Sequence, residues 1–98
     1  MDNQHRIIKG YRELSAEEIA LMNEVKEAGA ALQALCNKVE THISTQWQAA
    51  YDADLVPQEA ELDRLAQANP YRWLERATDD LQTGIMKLVR SVAQPTTF

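Results

Sequence analysis

Apolar residues recur every three or four positions from residue 19 to residue 43, which predicts one long amphipathic helix. The series comprises Ile19, Met22, Val25, Gly29, Leu32, Cys36, Val39 and Ile43. Ser15-Ala16-Glu17-Glu18 precedes it with the pattern of a capping box, in which the side chains of Ser15 and Glu18 each accept a hydrogen bond from the other's backbone amide. We therefore expect a helix from Ser15 to about Ser44.

A second stripe with helical spacing lies near the end of the chain. Its members are Leu74, Ala77, Leu81, Ile85, Leu88 and Val92. Asn69-Pro70 predicts its start, since asparagine can cap a helix and proline is tolerated at the first helical position. Gln94-Pro95 predicts its end. Between the two long helices, Val56-Pro57-Gln58-Glu59 with Leu62 and Leu65 indicates a shorter helix, and residues 51–56 are expected to form a linker.

These elements predict an all-α fold and one domain spanning residues 1–98. The expected architecture is an antiparallel hairpin of two long helices, with a short N-terminal segment and a short middle helix. A chain of 98 residues builds only a thin core. Apolar side chains also lie off the two stripes, namely Leu21, Ala28, Leu35, Trp73, Met86 and Val89. A hairpin covers one face of each helix, so we expect a homo-oligomer to cover the others.

The charge distribution favours a small anionic ligand over a nucleic-acid polymer. Residues 13–63 contain eleven acidic side chains and two basic ones, whereas residues 5–12 and 84–98 contain basic side chains and no acidic ones. The acidic middle would repel DNA or RNA, whose binding requires many neutralised phosphates. No apolar run approaches the roughly 20 residues that a membrane-spanning helix needs. We expect a cytoplasmic protein that binds neither membranes nor nucleic-acid polymers.

The residues favour no catalytic chemistry. His5 and His42 are isolated in the sequence, and no metal-ligand spacing or glycine-rich phosphate loop occurs. Cys36 lies on the apolar stripe, where a buried and inert thiol is the better interpretation. We therefore expect no enzyme, no metal and no cofactor.

The main candidate binding residues are Lys9, Gly10, Tyr11 and Arg12, together with Lys26. A tyrosine can stack on a purine and donate to a phosphate, while glycine permits close backbone approach. A lysine beside a packed stripe either extends to solvent or meets an anion. The structural alternative is that Tyr11 anchors the helix entrance and that Lys26 pairs with Glu27 or with neighbours on the turn of Glu24.

A second basic pair, Arg72 and Arg76, lies four residues apart where the last helix begins. Guanidinium groups on one face can bind phosphate oxygens, and a helix N-terminus also favours anions. The alternative is intrahelical pairing of these arginines with Glu75 and with Asp79 or Asp80. Trp47 and Trp73 are interpreted as core or interface anchors.

Both ends of the chain resemble the bacteriophage anti-CBASS cyclic-oligonucleotide sponges, whose helical hairpin domain is shared with anti-Thoeris sponges. At the N-terminal end the similar positions are Gln4-His5-Arg6-Ile7-Ile8-Lys9-Gly10-Tyr11-Arg12-Glu13-Leu14-Ser15, Glu18-Ile19, Leu21-Met22-Asn23, Lys26 and Gly29. At the C-terminal end they are Arg72-Trp73-Leu74, Leu81-Gln82, Gly84, Met86, Leu88-Val89-Arg90, Val92-Ala93-Gln94-Pro95 and Phe98. The resemblance covers about half of the chain, and residues 37–70 do not contribute to it.

The resemblance implies a homohexamer that sequesters cyclic nucleotide messengers without cleaving them and so blocks CBASS immunity in the infected cell. Cyclic dinucleotides such as 3',3'-cGAMP would bind between two protomers, where the family's tyrosine and lysine match Tyr11 and Lys26. Lys9, Gly10 and Met22 complete our predicted site. Arg72 and Arg76 are the candidates for a second site that takes cyclic trinucleotides. A small helical adaptor that binds and inhibits a host protein is the alternative.

Overall fold

A computed structural model describes residues 12–98 of the chain. They form three helices, α1 (Ala16–Asp52), α2 (Leu55–Ala68) and α3 (Pro70–Ala93), and this part of the chain contains no β-strand. The all-α prediction, with two long helices and a short middle helix, is therefore confirmed. No helix within residues 12–98 combines the length and hydropathy needed to cross a bilayer.

The capping box forms at the start of α1 as predicted. The backbone amide of Ser15 donates to Oε1 of Glu18 over 2.9 Å, and the amide of Glu18 donates to Oγ of Ser15 over 3.1 Å. These reciprocal bonds satisfy two amides that the first helical turn leaves without a backbone partner.

The prediction that α1 ends near Ser44 was wrong, because the helix continues eight residues further, to Asp52. Its buried stripe extends through Ile43 and Ala50, with Trp47 half-buried between them. The predicted linker shrinks to two residues. Pro57 is accommodated in the first turn of α2, where an amide has no intrahelical partner in any case.

Asn69 joins α2 to α3 through its backbone. It adopts the left-handed conformation, with φ 48° and ψ 58°, and its amide donates to the carbonyl of Leu65 over 2.8 Å. Asparagine tolerates this conformation better than most residues do. Asn69 therefore caps the C-terminus of α2. It also directly precedes α3, where its carbonyl accepts a hydrogen bond from the amide of Arg72 over 3.2 Å, and Pro70 is the first residue of α3 as expected.

The described residues fall into two compact units. Unit 1 contains residues 12–31 and Leu81–Phe98, and unit 2 contains Leu32–Asp80. In unit 1, α1 and α3 approach closely at Gly29, where an added Cβ would lie 3.3 Å from Cγ2 of Ile85. In unit 2, α2 packs its Leu65 side chain into the interior, where it is 1% exposed.

The hydrophobic core is thin. The buried apolar residues are Val25 in unit 1 and Ile43, Ala50 and Leu65 in unit 2. Exposed large apolar side chains are Ile19, Leu21, Leu35, Val39, Tyr51, Leu55, Val56, Tyr71, Trp73, Leu81, Met86, Leu88 and Phe98. Cys36 is half-buried, which corrects the expectation of a buried thiol.

Candidate functional site

Lys26 and Met22 lie one turn apart on α1, within unit 1. Met22 is half-buried and Lys26 is exposed, while Val25, directly before Lys26, is buried. Residues four apart on a helix share a face. A single strip of α1 therefore presents an apolar side chain and a cation at the edge of the core.

The Lys26 ammonium has no ion-pair partner within residues 12–98. The ion pairs there join Arg12 to Glu18 and Arg64 to Glu61. The alternative in which Lys26 pairs with Glu27 is thus not observed. An exposed ammonium without an ion-pair partner in this part of the chain could bind an external anion.

Three predicted site residues, Lys9, Gly10 and Tyr11, lie outside the described residues. Their grouping with Lys26 and Met22 stays a prediction. The first described residue, Arg12, directly follows Tyr11 in the sequence and belongs to unit 1.

Arg12 is bonded to the beginning of α1 and to the last turn of α3. Its Nη1 donates to Oε1 of Glu18 over 3.1 Å, and its Nη2 pairs with Oε2 of the same carboxylate. Nη2 also donates to the backbone carbonyl of Val92 over 2.9 Å. We call Arg12, Glu18 and Val92 the Arg12 clasp. The planar guanidinium suits this arrangement because it can face a carboxylate and a carbonyl together.

Glu18 is the electrostatic centre of the clasp. The hydrogen bond from Arg12, followed by those from the amide and hydroxyl of Ser15, lowers the pKa of Glu18 from 4.5 to about 2. The same pair raises the pKa of Arg12, chiefly through the hydrogen bond to Glu18. Both groups are charged at neutral pH, so the clasp is a charge-assisted contact.

Sequence reasoning found Glu18 as a capping residue and Arg12 as part of a basic segment, and it missed their contact. Arg12 lies six residues before Glu18, and a basic residue just upstream of a capping-box glutamate was the available signal. The bond to Val92 joins residues 80 positions apart, and no local pattern indicates it.

Arg72 and Arg76, the candidates for a second site, lie in the first two turns of α3 within unit 2. Both are exposed, and the pairing with Glu75, Asp79 or Asp80 is not observed among the described residues. The guanidinium carbon of Arg72 lies 5.6 Å from the ring centroid of Trp73, a distance typical of a cation–π contact. Trp73 is 61% exposed, so within the described residues it is not a core anchor, and its interpretation as an interface anchor stays a prediction.

Two open grooves of several hundred Å³ in unit 2 lie between helices. One, of about 600 Å³, lies between the end of α1 and α2 and is lined by Gln46, Ala49, Ala50, Ala53, Pro57, Ala60, Glu61 and Arg64. The other, of about 370 Å³, is lined by Gln33, Cys36, Asn37, Glu40, Tyr71, Leu74, Glu75, Thr78 and Asp79. Neither includes a predicted site residue, and three carboxylates in the second would repel an anion.

Within residues 12–98, no group of three histidine, cysteine or acidic side chains is placed to hold a metal ion. The indole Nε1 of Trp47 is buried and has no hydrogen-bond partner, and its ring lies 6.3 Å from that of Tyr51. These features of unit 2 involve none of the predicted site residues.

Comparison with known proteins extends the similarity over almost the whole chain. Residues 3–93 match the family described as Acb2/Tad1, hairpin domain. The chain is also 47% identical over 105 aligned positions to Anti-CBASS protein 2 of Pseudomonas phage JBD67, and the alignment covers 97% of each protein. The middle of the chain therefore contributes to the similarity, which corrects the expectation that residues 37–70 do not.

Proposed function

The chain belongs to the Acb2/Tad1 hairpin-domain family, and we propose that it blocks CBASS immunity by sequestering cyclic oligonucleotide messengers without cleaving them. The relative named Anti-CBASS protein 2 supports the first part of this proposal. The observation that carries the second part is Lys26, which lies beside Met22, is exposed and has no ion-pair partner within residues 12–98. The proposed place of action is the cytoplasm of the infected bacterium.

The proposed ligands are cyclic dinucleotides such as 3',3'-cGAMP. Each has two anionic phosphates and two flat bases, which match the chemistry of a lysine and a tyrosine. In this proposal Tyr11 stacks on a base, Lys26 neutralises a phosphate, Lys9 and Gly10 flank it, and Met22 supplies apolar contact. About 45 heavy atoms at roughly 0.3 kcal/mol each limit the binding free energy to about 13 kcal/mol, which permits nanomolar affinity.

Near-complete burial of such a ligand requires more surface than one copy of α1 offers, so the proposed pocket is shared between two protomers. Exposed apolar side chains in unit 1 support self-association. Met86 is 64% exposed, Leu88 is 50% exposed and Ile19 is 48% exposed. A homohexamer with two-fold contacts would match the near-symmetry of a cyclic dinucleotide.

The proposed second site uses Arg72 and Arg76 for cyclic trinucleotides. Support comes from two exposed guanidinium groups one turn apart, without ion-pair partners among residues 12–98. Each could bind a phosphate with two parallel hydrogen bonds.

Isothermal titration with a panel of cyclic di- and trinucleotides tests both sites. We expect Tyr11→Ala and Lys26→Ala to lose dinucleotide binding while Arg72→Ala retains it. Lys38→Ala is the matched control, because Lys38 is another exposed lysine of α1. Dinucleotide binding that survives in both Tyr11→Ala and Lys26→Ala would contradict the site.

The adaptor alternative is favoured by one observation. Leu55 and Val56 are 71% and 78% exposed at the start of α2, as in a surface that docks on another protein. A cyclic dinucleotide that binds the native state must raise the melting temperature. An adaptor without nucleotide affinity would show no shift.

A further inference from the structure

We infer that Arg90 is a second phosphate-binding residue of unit 1, on the same side of the paired helices α1 and α3 as Lys26. This inference rests on the proposed function and deepens it, because it adds a residue of α3 to the dinucleotide site. A guanidinium would complement the Lys26 ammonium, since its planar fork binds two oxygens of one phosphate through parallel hydrogen bonds.

Two contacts fix how α1 and α3 pair within unit 1. Gly29 of α1 approaches α3 closely, and an added Cβ there would lie 3.3 Å from Cγ2 of Ile85. Arg12, just before α1, donates to the carbonyl of Val92 at the end of α3. The two helices of unit 1 therefore run in opposite directions, so positions before Gly29 lie level with positions after Ile85.

Lys26 and Arg90 lie at nearly the same level of this helix pair. Lys26 is three residues before Gly29, and Arg90 is five residues after Ile85. At about 1.5 Å per residue, they lie about 4.5 and 7.5 Å from the Gly29–Ile85 contact in the same direction. The two cations are therefore offset by only about 3 Å along the helix axes.

The two cations also lie on one side of the pair. Viewed along α1 from its N-terminus, Lys26 is rotated about 60° clockwise from Gly29, and Arg90 about 140° anticlockwise from Ile85. Because the helices face each other, these opposite rotations lead to the same side. Met86 shares that side and is 64% exposed. Packed helix axes lie about 8–10 Å apart, so a lysine and an arginine can both reach one dinucleotide.

The Arg90 guanidinium is restrained without being neutralised. Its Nη2 donates to the backbone carbonyl of Thr97 over 3.0 Å, which leaves its charge and its other N–H groups available. Such restraint reduces the side-chain freedom that is lost when an anion binds.

Carboxylates are absent from the immediate surroundings of Arg90 in the sequence and in the helix pair. Residues 84–98 contain no acidic side chain, and Arg90 is exposed and has no ion-pair partner within residues 12–98. On α1, Glu24 and Glu27 are rotated about 140° and 160° from Gly29, so both face away from α3. An anion that approaches Lys26 and Arg90 therefore meets little repulsion.

Lys87 offers a matched control on the same helix. It is exposed, lies in the same stretch without acidic residues and has no ion-pair partner within residues 12–98. Two residues after Ile85, it is rotated by about 200° and faces away from α1. Lys87→Ala thus removes one positive charge from unit 1 and leaves the Lys26 side of the pair unchanged.

Isothermal titration of 3',3'-cGAMP, cyclic di-GMP and cyclic di-AMP into full-length variants tests the inference, with circular dichroism confirming that each variant is folded. For every ligand that the wild type binds, we expect Arg90→Ala to weaken binding about tenfold or more, through loss of a charge-assisted hydrogen bond. Lys87→Ala should weaken it less than about twofold. Arg90→Lys should fall between the wild type and Arg90→Ala, because lysine keeps the charge but not the planar fork.

Four other results would overturn the inference. If Arg90→Ala and Lys87→Ala weaken binding equally, only the general charge of unit 1 matters. If Arg90→Ala weakens the binding of guanine-containing ligands alone, Arg90 contacts a guanine edge and not a phosphate. If Lys26→Ala loses binding while Arg90→Ala matches the wild type, the Arg90 assignment alone fails. If the wild type binds no cyclic dinucleotide, the proposed function fails as well.

Discussion

Units 1 and 2 differ in charge and in how they are stabilised. Unit 2 contains three of the four buried apolar side chains, and its nine acidic and four basic residues give a net charge of −5. The described part of unit 1 has one buried side chain, five acidic residues and four basic ones. The nearly neutral unit, with less buried surface, contains Lys26 and the Arg12 clasp. Anion binding is electrostatically easier there than among the excess carboxylates of unit 2.

Because three of the four buried side chains lie in unit 2 and the proposed dinucleotide site lies in unit 1, stability and dinucleotide affinity should respond to different substitutions. Changes in the unit 2 core should lower the free energy of unfolding, and changes at Lys26 should lower affinity. The predictions below test this separation.

Leu65→Ala should have the largest effect. Leu65 is 1% exposed, and removing a buried leucine side chain costs about 3 kcal/mol of unfolding free energy through lost burial and the cavity left behind. Leu55→Ala is the control, since Leu55 is 71% exposed and its loss should cost less than about 0.5 kcal/mol. Urea denaturation measures both values. Equal destabilisation would mean that Leu65 is not part of the core.

Lys26→Glu should lower affinity for a cyclic dinucleotide about 100-fold, because it replaces a charge-assisted contact with repulsion. The melting temperature should stay almost unchanged, since Lys26 is exposed and has no ion-pair partner within residues 12–98. Lys38→Glu makes the same change on the unit 2 part of α1. If both variants bind equally well, the difference between the units does not govern binding.

Substitutions at the two glycines in the described part of unit 1 should change the free energy of unfolding in opposite directions. Gly29→Leu should lower the free energy of unfolding by about 2 kcal/mol. A Cβ added at residue 29 would lie only 3.3 Å from Cγ2 of Ile85, so a leucine side chain would overpack the contact. Gly84→Ala should raise the free energy of unfolding by about 0.5–1 kcal/mol, because the added Cβ would lie in open space and alanine favours a helix more than glycine does. Chemical denaturation measures both. Stabilisation by both substitutions would contradict the close helix approach at Gly29.

Acid should weaken the start of α1 through Glu18. The pKa of Glu18 is lowered in the folded state. The carboxylate therefore contributes its full share to the free energy of unfolding above the unfolded pKa of 4.5, and this share is lost as the pH falls towards about 2. Glu18→Gln should therefore show a smaller loss of unfolding free energy across this interval than the wild type. Glu61, whose pKa Arg64 also lowers, permits the same comparison in unit 2 through Glu61→Gln. Identical pH profiles for Glu18→Gln and the wild type would contradict the clasp. Because both pairs are exposed, these effects should be the smallest.

Sequence patterns predicted correctly those helix boundaries that hydrogen bonds between neighbouring residues determine. The capping box at Ser15 and the first residue of α3 at Pro70 both follow from neighbouring residues, and both were predicted. The end of α1 depends instead on packing inside unit 2, where Ala50 is 2% exposed. An alanine in a helical sequence does not indicate such burial, so the eight additional residues of α1 were missed.

For the candidate site, the sequence predicted which residues carry charge but not how they pair. It allowed Lys26, Arg72 and Arg76 to form intrahelical ion pairs, which the structure does not show. Such pairs are worth little in solvent, so spacing alone does not ensure them. Arg12 forms the contact that spacing did not predict, because its partner Val92 is distant in the sequence.

Recovery of the ligand from the complex tests the central claim most directly. The wild-type protein in excess is mixed with a cyclic dinucleotide, the free ligand is measured after ultrafiltration, and the complex is then denatured by heat and analysed by chromatography. The proposed function predicts almost no free ligand before heating and complete recovery of the intact ring afterwards. Ligand that stays free before heating, or linear products after it, would contradict sequestration.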